Sequence, residues 1–414
     1  MIRRPLYVAI LTGNHLCHNP RVIKEAAALA NAGFETVVLG AWSDATLKQR
    51  DQDLMRSLPF SFVPVVDTTD DRWACAGTRL RGKIAALVHR FAGVESRWQL
   101  GSACAALSRA ALRRNADLYI AHSEAALVAA AELLRRGRRV GVDLEDWFSQ
   151  DLLAEARRSR AVGLLDALER TLLTQGRHAT CPSHAMSEAL ATAYGCTRPA
   201  VVYNAFPWAD RKMIDGLVKD RPDRRGPSIH WFSQTLGPGR GLEDLFSALP
   251  LLRNDVEIHL RGNPVGGFES WFRARAPESV RERIVVHGLV PSTELLSRIA
   301  EHDIGFAGET SSIRSRDLTA TNKILQYLLA GLAVVASDTA GQREVAEQAS
   351  DAVFLYPSGD PTALAHHLDS LLEQPDRLRR AKAAALHAAE RTFCWERQER
   401  ALLDAIARAL PSPA

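Results

Sequence analysis

Short runs rich in Val, Ile and Leu alternate with longer helical stretches along this chain, and the alternation passes through twice. Strands of that kind, separated by helix-length segments, cannot be joined by tight hairpins. They pair side by side through helical crossovers, which predicts parallel sheets wrapped by helices. In the first half the expected strands are Tyr7–Leu11, Phe34–Leu39, Phe60–Val66, Leu118–Ala121, Val140–Leu144, Ala179–Cys181 and Ala200–Tyr203. Helical pattern covers Arg21–Ala32, a long Arg- and Ala-rich region from about Thr78 to Asn115, and Asp151–Gln175. After a segment holding Pro207, Pro222 and Pro227 the rhythm restarts. Strands are expected at Ile229–Ser233, Glu257–Arg261, Ile284–His287, Asp303–Phe306, Ala333–Ala336 and Ala352–Leu355, with helices at Leu242–Leu252, Ser292–Ala300 and Asn322–Ala330 and a nearly all-helical tail from Pro361 to Ala409.

A chain of 414 residues is about twice what one hydrophobic core usually supports. The expected fold is therefore α/β, with two consecutive Rossmann-like domains. Residues 1–205 form the first domain, 206–227 a linker and 228–390 the second domain, with a helical tail after it. In such sheets ligands gather at the carboxyl ends of the strands.

Composition narrows the function classes. Hydrophobic residues at 46% and charged ones at 24% exclude a disordered or fibrous chain. A net charge of +4 is too small to point to nucleic acid, although residues 1–205 carry 26 Lys and Arg against 20 Asp and Glu. Six scattered cysteines lack zinc or disulfide spacing, so idle thiols in a reducing cytoplasm are expected. No signal peptide and no spanning apolar run is visible, and the expectation is a soluble cytoplasmic protein. No G-x-G-x-x-G follows the first strand, and neither a P-loop, a G-x-S-x-G elbow nor H-E-x-x-H occurs.

The most informative stretch runs from Thr319 to Asp338. A polar loop opens a helix at Asn322-Lys323, Gly331 ends it, and a buried strand follows at once. Thr321 can cap this helix, and free amides of its first turn together with a lysine suit a diphosphate. An ordinary capped helix with a solvated lysine would show the same pattern.

This stretch resembles the donor-binding segment of the GT-B nucleotide-sugar glycosyltransferases, specifically the large retaining family 4, or group 1, transferases. Five further segments are similar to that family in the same order. They are His18-Asn19-Pro20-Arg21-Val22-Ile23-Lys24-Glu25-Ala26, the His122 strand end, the Tyr203-Asn204-Ala205-Phe206 motif, Gly237-Pro238-Gly239-Arg240-Gly241-Leu242, and His287-Gly288-Leu289-Val290-Pro291. The family's paired Glu signature is absent: Gln326 stands where the ribose-binding Glu would be, and Leu318 lies eight positions before it. Ser233-Gln234 replaces the family's Gly-Arg, and Asp143-Leu144-Glu145-Asp146 replaces the branch's Asp-x-His-Glu.

The resemblance implies transfer of a sugar from a nucleoside diphosphate donor to a hydroxyl acceptor, with retention and without a metal or other cofactor. It also implies a ligand cleft between the two domains and a helix over 391–414 that crosses back to the first domain. Arg240 and Lys323 would stabilise the leaving diphosphate, and His122 would meet the sugar or acceptor. Gln234, Gly239, Asn322, Gln326, Glu309 and His287 would surround the donor. Asn14, His15, Arg21 and Glu145 would lie on the acceptor side. The acceptor could be a glycan, a lipid-linked saccharide or a small molecule. A non-catalytic sugar-nucleotide binder and a nucleotide-sugar 2-epimerase are the alternatives. The basic, aromatic strip from 72 to 97, with Trp73, Arg79, Arg81, Lys83, His89, Arg90, Phe91 and Arg97, is a candidate for peripheral contact with the inner face of a membrane, although a plain surface helix with snorkelling arginines has the same composition. The Arg135-Arg136-Gly137-Arg138-Arg139 cluster reads as a solvated turn.

Overall fold

The computed structural model describes residues 4–69, 72–152, 157, 160–223 and 226–410. Two compact units divide the chain. The first takes residues up to Pro182, Met186–Val202 and the chain from Glu399. The second takes Ser183–Ala185 and Tyr203–Gln398.

The first unit is built on a seven-stranded, wholly parallel sheet in the order β3-β2-β1-β4-β5-β6-β7. Its strands are β1 (Tyr7–Thr12), β2 (Glu35–Trp42), β3 (Ser61–Asp67), β4 (Leu118–His122), β5 (Val140–Asp143), β6 (His178–Cys181) and β7 (Ala200–Val201). Helices α1 (Pro20–Asn31), α2 (Ala45–Met55), α3 (Arg72–Ala92), α4 (Cys104–Leu112), α5 (Glu124–Arg135), α6 (Val162–Gln175) and α7 (His184–Tyr194) connect or follow them. Each sequence-predicted strand is present within a residue or two. The helical region expected from 78 to 115 divides into α3 and α4, with a single tight turn at Arg97–Gln99 between them.

Helix α2 was not foreseen, because ATLKQRDQDLM carries no continuous apolar stripe. It is set by Asp44, whose side chain accepts from the Leu47 amide, and by the fully buried Asp51. Asp51 accepts from the Leu16 and Cys17 amides and from the Trp42 indole, at 3.1, 2.7 and 2.9 Å. One carboxylate thus ties the loop after β1 to the end of β2.

The second unit carries a six-stranded parallel sheet in the order β10-β9-β8-β11-β12-β13. The strands are β8 (Ser228–Leu236), β9 (Glu257–Pro264), β10 (Ile284–His287), β11 (Ile304–Ala307), β12 (Ala333–Ser337) and β13 (Val353–Tyr356). The connections include α8 (Leu242–Ala248), α9 (Phe268–Arg275), α10 (Ser292–Ala300), α11 (Arg314–Leu318), α12 (Asn322–Ala330), α13 (Ala340–Gln348), α14 (Pro361–Leu372) and α15 (Pro375–Arg391), while α16 (Trp395–Ala409) starts in this unit and belongs to the first from Glu399. Ile229, Trp231, Ile258, Leu260, Phe306 and Val335 bury their side chains among Leu245, Phe246, Leu364 and Leu368. Alternate residues of these strands face the same helices, as the period-2 geometry of a strand requires.

The segment expected to be a linker, 206–227, is instead part of the second unit. Arg298 on α10 donates to both Asp215 oxygens at 2.7 and 2.6 Å, Lys219 pairs with Glu294 at 2.7 Å, and Arg221 pairs with Glu257 at 2.8 Å. Prolines and charges in a row signalled a loop, but the charges are the means by which it is held.

Candidate functional site

In the second unit the carboxyl end of β8 runs into a glycine loop and α8. Gly239 and Gly241 have φ of +80° and +78°, a region that favours glycine. A Cβ on Gly241 would lie 2.6 Å from the Gly308 backbone, so the loop also needs glycine for close approach. Both peptide groups of Gly239 are engaged: its amide donates to Glu243 Oε1 at 2.7 Å, and its carbonyl accepts from Arg316 Nη1 at 3.1 Å. Between these fixed points Arg240 is half-buried, and its guanidinium has no hydrogen bond or ion pair among the described residues. Gln234 lies exposed near the carboxyl end of β8.

The helix opening at Asn322 departs from expectation in three respects. Asn322 is exposed at its first position, but Thr321 makes no side-chain cap and its hydroxyl donates to Gln342 Oε1 at 3.4 Å instead. Lys323 was expected to be partly open to a diphosphate. It is only 6% exposed and forms an ion pair with Glu309, itself 4% exposed, while its ammonium lies 5.7 Å from the centre of the Trp231 ring. Glu309, proposed from the sequence as a sugar contact, is thereby committed to Lys323. One turn further along α12, Gln326 is half-buried with its Oε1 enclosed and without a hydrogen-bond partner.

His287 ends β10 and belongs to a cluster that sequence reasoning missed. Its Nε2 lies 2.9 Å from His259 Nδ1, and the two rings stack. His259 and His230 in turn contact His302, each with ring centres 4.6 Å apart. Burial pulls His287 and His302 below the usual histidine range and His259 down to about 4, so the rings are uncharged together at neutral pH. The signal was present: His230 and His259 interrupt apolar strands at positions that pair in register.

In the first unit, the residues placed on the acceptor side lie at the carboxyl ends of β1, β4 and β5. Asn14 is exposed. His15, however, is buried, and its two nitrogens are used structurally. Nε2 accepts from the Ser43 and Asp44 amides at 2.8 and 3.1 Å, which leaves the proton on Nδ1 to donate to Asp51 at 3.2 Å. Arg21 is also buried. Nε and Nη2 donate to Asp143 at 2.9 and 2.7 Å, and Nη1 donates to the Val202 carbonyl at 2.7 Å.

His122 ends β4 as expected, but its imidazole is fully enclosed rather than open to a ligand. Nε2 lies 2.6 Å from Glu25 Oε2 and Nδ1 lies 4.0 Å from Asp143 Oδ1. Arg21 and Glu25, four residues apart on α1, both turn inward over the strand ends, and this is what covers the histidine. Burial lowers the His122 pKa, but Glu25 and Asp143 outweigh it and bring it up to about 8. Burial likewise pushes Asp143 up, yet Arg21 and His122 hold it below the usual carboxylate range. Glu145, half-buried beside them, is raised by its burial. Ser123, directly after His122, has φ +86°, the one positive value at a non-glycine among the described residues, and its hydroxyl accepts from the Gly13 amide at 3.0 Å.

Among the described residues, Glu25, His122 and Asp143 are the group whose donor atoms lie close enough together to hold a metal ion. Two carboxylates facing one guanidinium and one imidazolium already balance in charge. Asp143 spends both oxygens on Arg21 and one of them also on Thr180 at 2.6 Å.

Residues 227–374 match the model of the glycosyl transferases group 1, and residues 21–207 that of glycosyltransferase family 4. Among solved structures, Anabaena HepE in complex with UDP and glucose is 17% identical, with a TM-score of 0.70 over 97% of this chain and 99% of that one. A UDP-forming α,α-trehalose-phosphate synthase from Burkholderia xenovorans is 14% identical, also with a TM-score of 0.70, over 99% of this chain and 100% of that one. An Escherichia coli trehalose-6-phosphate enzyme structure bound with UDP-2-fluoro glucose is 13% identical, with a TM-score of 0.68 over the same shares. No curated protein matches the sequence. With one family model on each half and the paired parallel sheets of the GT-B fold, the chain belongs to the group 1 glycosyltransferases and is an enzyme of that class.

Proposed function

We propose that this glycosyltransferase moves a sugar from a nucleoside diphosphate sugar to a hydroxyl acceptor, with retention of anomeric configuration and without a metal. The observation that carries the reading is Arg240, an uncommitted guanidinium on a glycine loop pinned at both peptide groups of Gly239. A leaving diphosphate gains charge as the glycosidic bond breaks, and a preorganised cation stabilises that charge without reorganising. Asn322, the one exposed residue of the first turn of α12, adds its backbone amide, and the enclosed Gln326 Oε1 is an acceptor suited to a ribose hydroxyl. A groove of about 580 Å³ lined by Pro264, Val265, Phe268 and Val286 has the size and apolar wall that a nucleobase needs. The solved structures holding UDP or a UDP sugar support uridine as the first base to try.

His122 serves in this reading as a positioning residue for Glu25 over the strand ends, while Asp143 holds Arg21. The acceptor lies with the first unit, at Asn14 and Glu145. That unit also meets a membrane through α3. Leu80, Ile84, Leu87 and Phe91 lie along one helical face and are 58, 52, 56 and 77% exposed. Every charge from Arg72 to Val94 is positive, which favours an anionic surface. Trp73 and Arg79 of this strip have side chains outside the described residues. Among the described residues no helix is long and apolar enough to cross a membrane.

The test is consumption of UDP-glucose and other nucleotide sugars with and without an acceptor mixture containing hexoses, sugar phosphates and lipid-linked saccharides. UDP release that depends on acceptor, with a product of retained configuration by NMR, is expected, and EDTA should leave the rate unchanged. Conversion of the nucleotide sugar to its epimer without acceptor would replace this reading with the epimerase one.

A further inference from the structure

At the amino edge of the first sheet, opposite the strand ends discussed above, three consecutive helix-to-strand turns meet. They precede β4, β5 and β6, and they line a cavity of about 520 Å³ with Asn115, Asp117, Arg138, Arg139, Gln175 and Arg177. That volume lies within the range of small-molecule sites. Arg138 is held by Asn115, whose Oδ1 accepts from Nη1 at 2.6 Å. Arg139 and Arg177 are exposed and have no side-chain hydrogen bond or ion pair among the described residues. Both are nevertheless anchored through their backbones: the Arg139 carbonyl accepts from Tyr119 N at 3.0 Å, and the Arg177 amide donates to Val140 O at 2.7 Å. The carboxylate in the lining, Asp117, is spent on Arg4, with two bonds of 2.9 Å, and on the Tyr7 amide at 2.8 Å.

Arginines often sit at helix carboxyl ends to offset the macrodipole, and α4, α5 and α6 all end here. Three such ends supply only about 1.5 negative charges. The turns together with Arg4 hold eight guanidiniums (Arg4, Arg113, Arg114, Arg135, Arg136, Arg138, Arg139 and Arg177) against the three carboxylates of Asp117, Glu132 and Glu35, the last beside Arg4. A surplus of several positive charges remains, and it surrounds a cavity. We propose that this cavity is a second anion site, separate from the donor site, which takes a diphosphate or phosphomonoester group through Arg139 and Arg177. The planar fork of a guanidinium matches phosphate oxygens in pairs, and the three lining arginines come from two turns fixed to the same sheet edge. The phosphate can belong to a soluble metabolite or to a lipid headgroup.

Calorimetry with inorganic pyrophosphate on protein saturated with UDP, so that the donor site is filled, and flotation with phosphatidylcholine vesicles, with and without phosphatidic acid, separate these sources. Each is applied to the whole protein, to Arg139→Ala/Arg177→Ala and to Arg240→Ala. Because both arginines are exposed, the double variant should fold and keep its UDP affinity. It should lose pyrophosphate or phosphatidic acid binding by about tenfold or more for each guanidinium removed. Arg240→Ala should retain that binding. Loss toward pyrophosphate assigns a soluble ligand, and loss confined to vesicles assigns a headgroup. Unchanged binding of both probes by the double variant would overturn the site, whatever Arg240→Ala does to the donor.

Discussion

Arg240 and Lys323 look alike in the sequence, as two cations flanking a donor loop, yet their surroundings separate them. Arg240→Ala should lower transfer by about 10²–10³-fold, the range for one lost transition-state stabiliser, with little change in melting temperature. Lys323→Ala strands Glu309 as an unpaired buried charge and should cost about 3–5 kcal/mol of stability besides any loss of rate. Thermal melts alongside initial rates check both, and a Lys323→Ala protein as stable as the parent would remove the ion pair from the account. His122 makes a pH prediction. Its pKa is about 8 in the folded protein against the ordinary 6.5, so its stabilisation is complete below about pH 6.5 and disappears as pH rises through 8. The loss is on the order of 2 kcal/mol. Glu169, raised by burial to about 7, acts in the same direction but is spent by neutral pH, which leaves the window above it to His122. Urea midpoints from pH 6 to 9 should fall in the parent and stay flatter above pH 7.5 in His122→Gln. An equal slope in both would show that His122 is not the titrating group.

At the scale of elements, the loop between β8 and α8 depends on glycine. Gly241→Ala places a Cβ 2.6 Å from Gly308 at a positive φ and should cost more than about 1 kcal/mol. It should also weaken UDP binding, because Arg240 is the adjacent residue. Calorimetry that finds normal UDP affinity in a destabilised Gly241→Ala protein would detach the loop from the donor. Helix α3 carries the other prediction. Leu87→Asp/Phe91→Asp should reduce flotation with anionic vesicles by at least about tenfold, since two large apolar groups no longer enter the interface. Rates on a soluble acceptor should not change. Undiminished flotation would leave α3 a plain surface helix. The strands were legible throughout because β-branched runs and turn residues mark them locally. Helix α2 was not, since its register depends on Asp51 meeting Trp42 and the loop after β1, contacts made by folding rather than by pattern.

For the whole molecule, a thermal-shift series of nucleoside diphosphates should rank UDP first. At a concentration 100 times its Kd it should contribute about 2.7 kcal/mol, or roughly 5–11 °C for domains of this size. A series in which no nucleoside diphosphate raises the melting temperature would leave the donor site without support. The sequence by itself determined the α/β class, the two successive parallel sheets, nearly all strand positions and the family, since each is written in short stretches whose period and motif spacing survive out of context. Only the tertiary structure decided which charged residues are available to a ligand. His122 reads the same at a strand end whether or not Arg21 and Glu25 of α1 cover it. Lys323 reads as a free cation until β11 brings Glu309, fourteen residues earlier in the chain, against it. The segment 206–227 reads as a linker until Arg298 and Glu257 of the second unit pair with it. Availability of a charge is set by desolvation and by the nearest opposite charge, and both depend on neighbours that are distant in sequence.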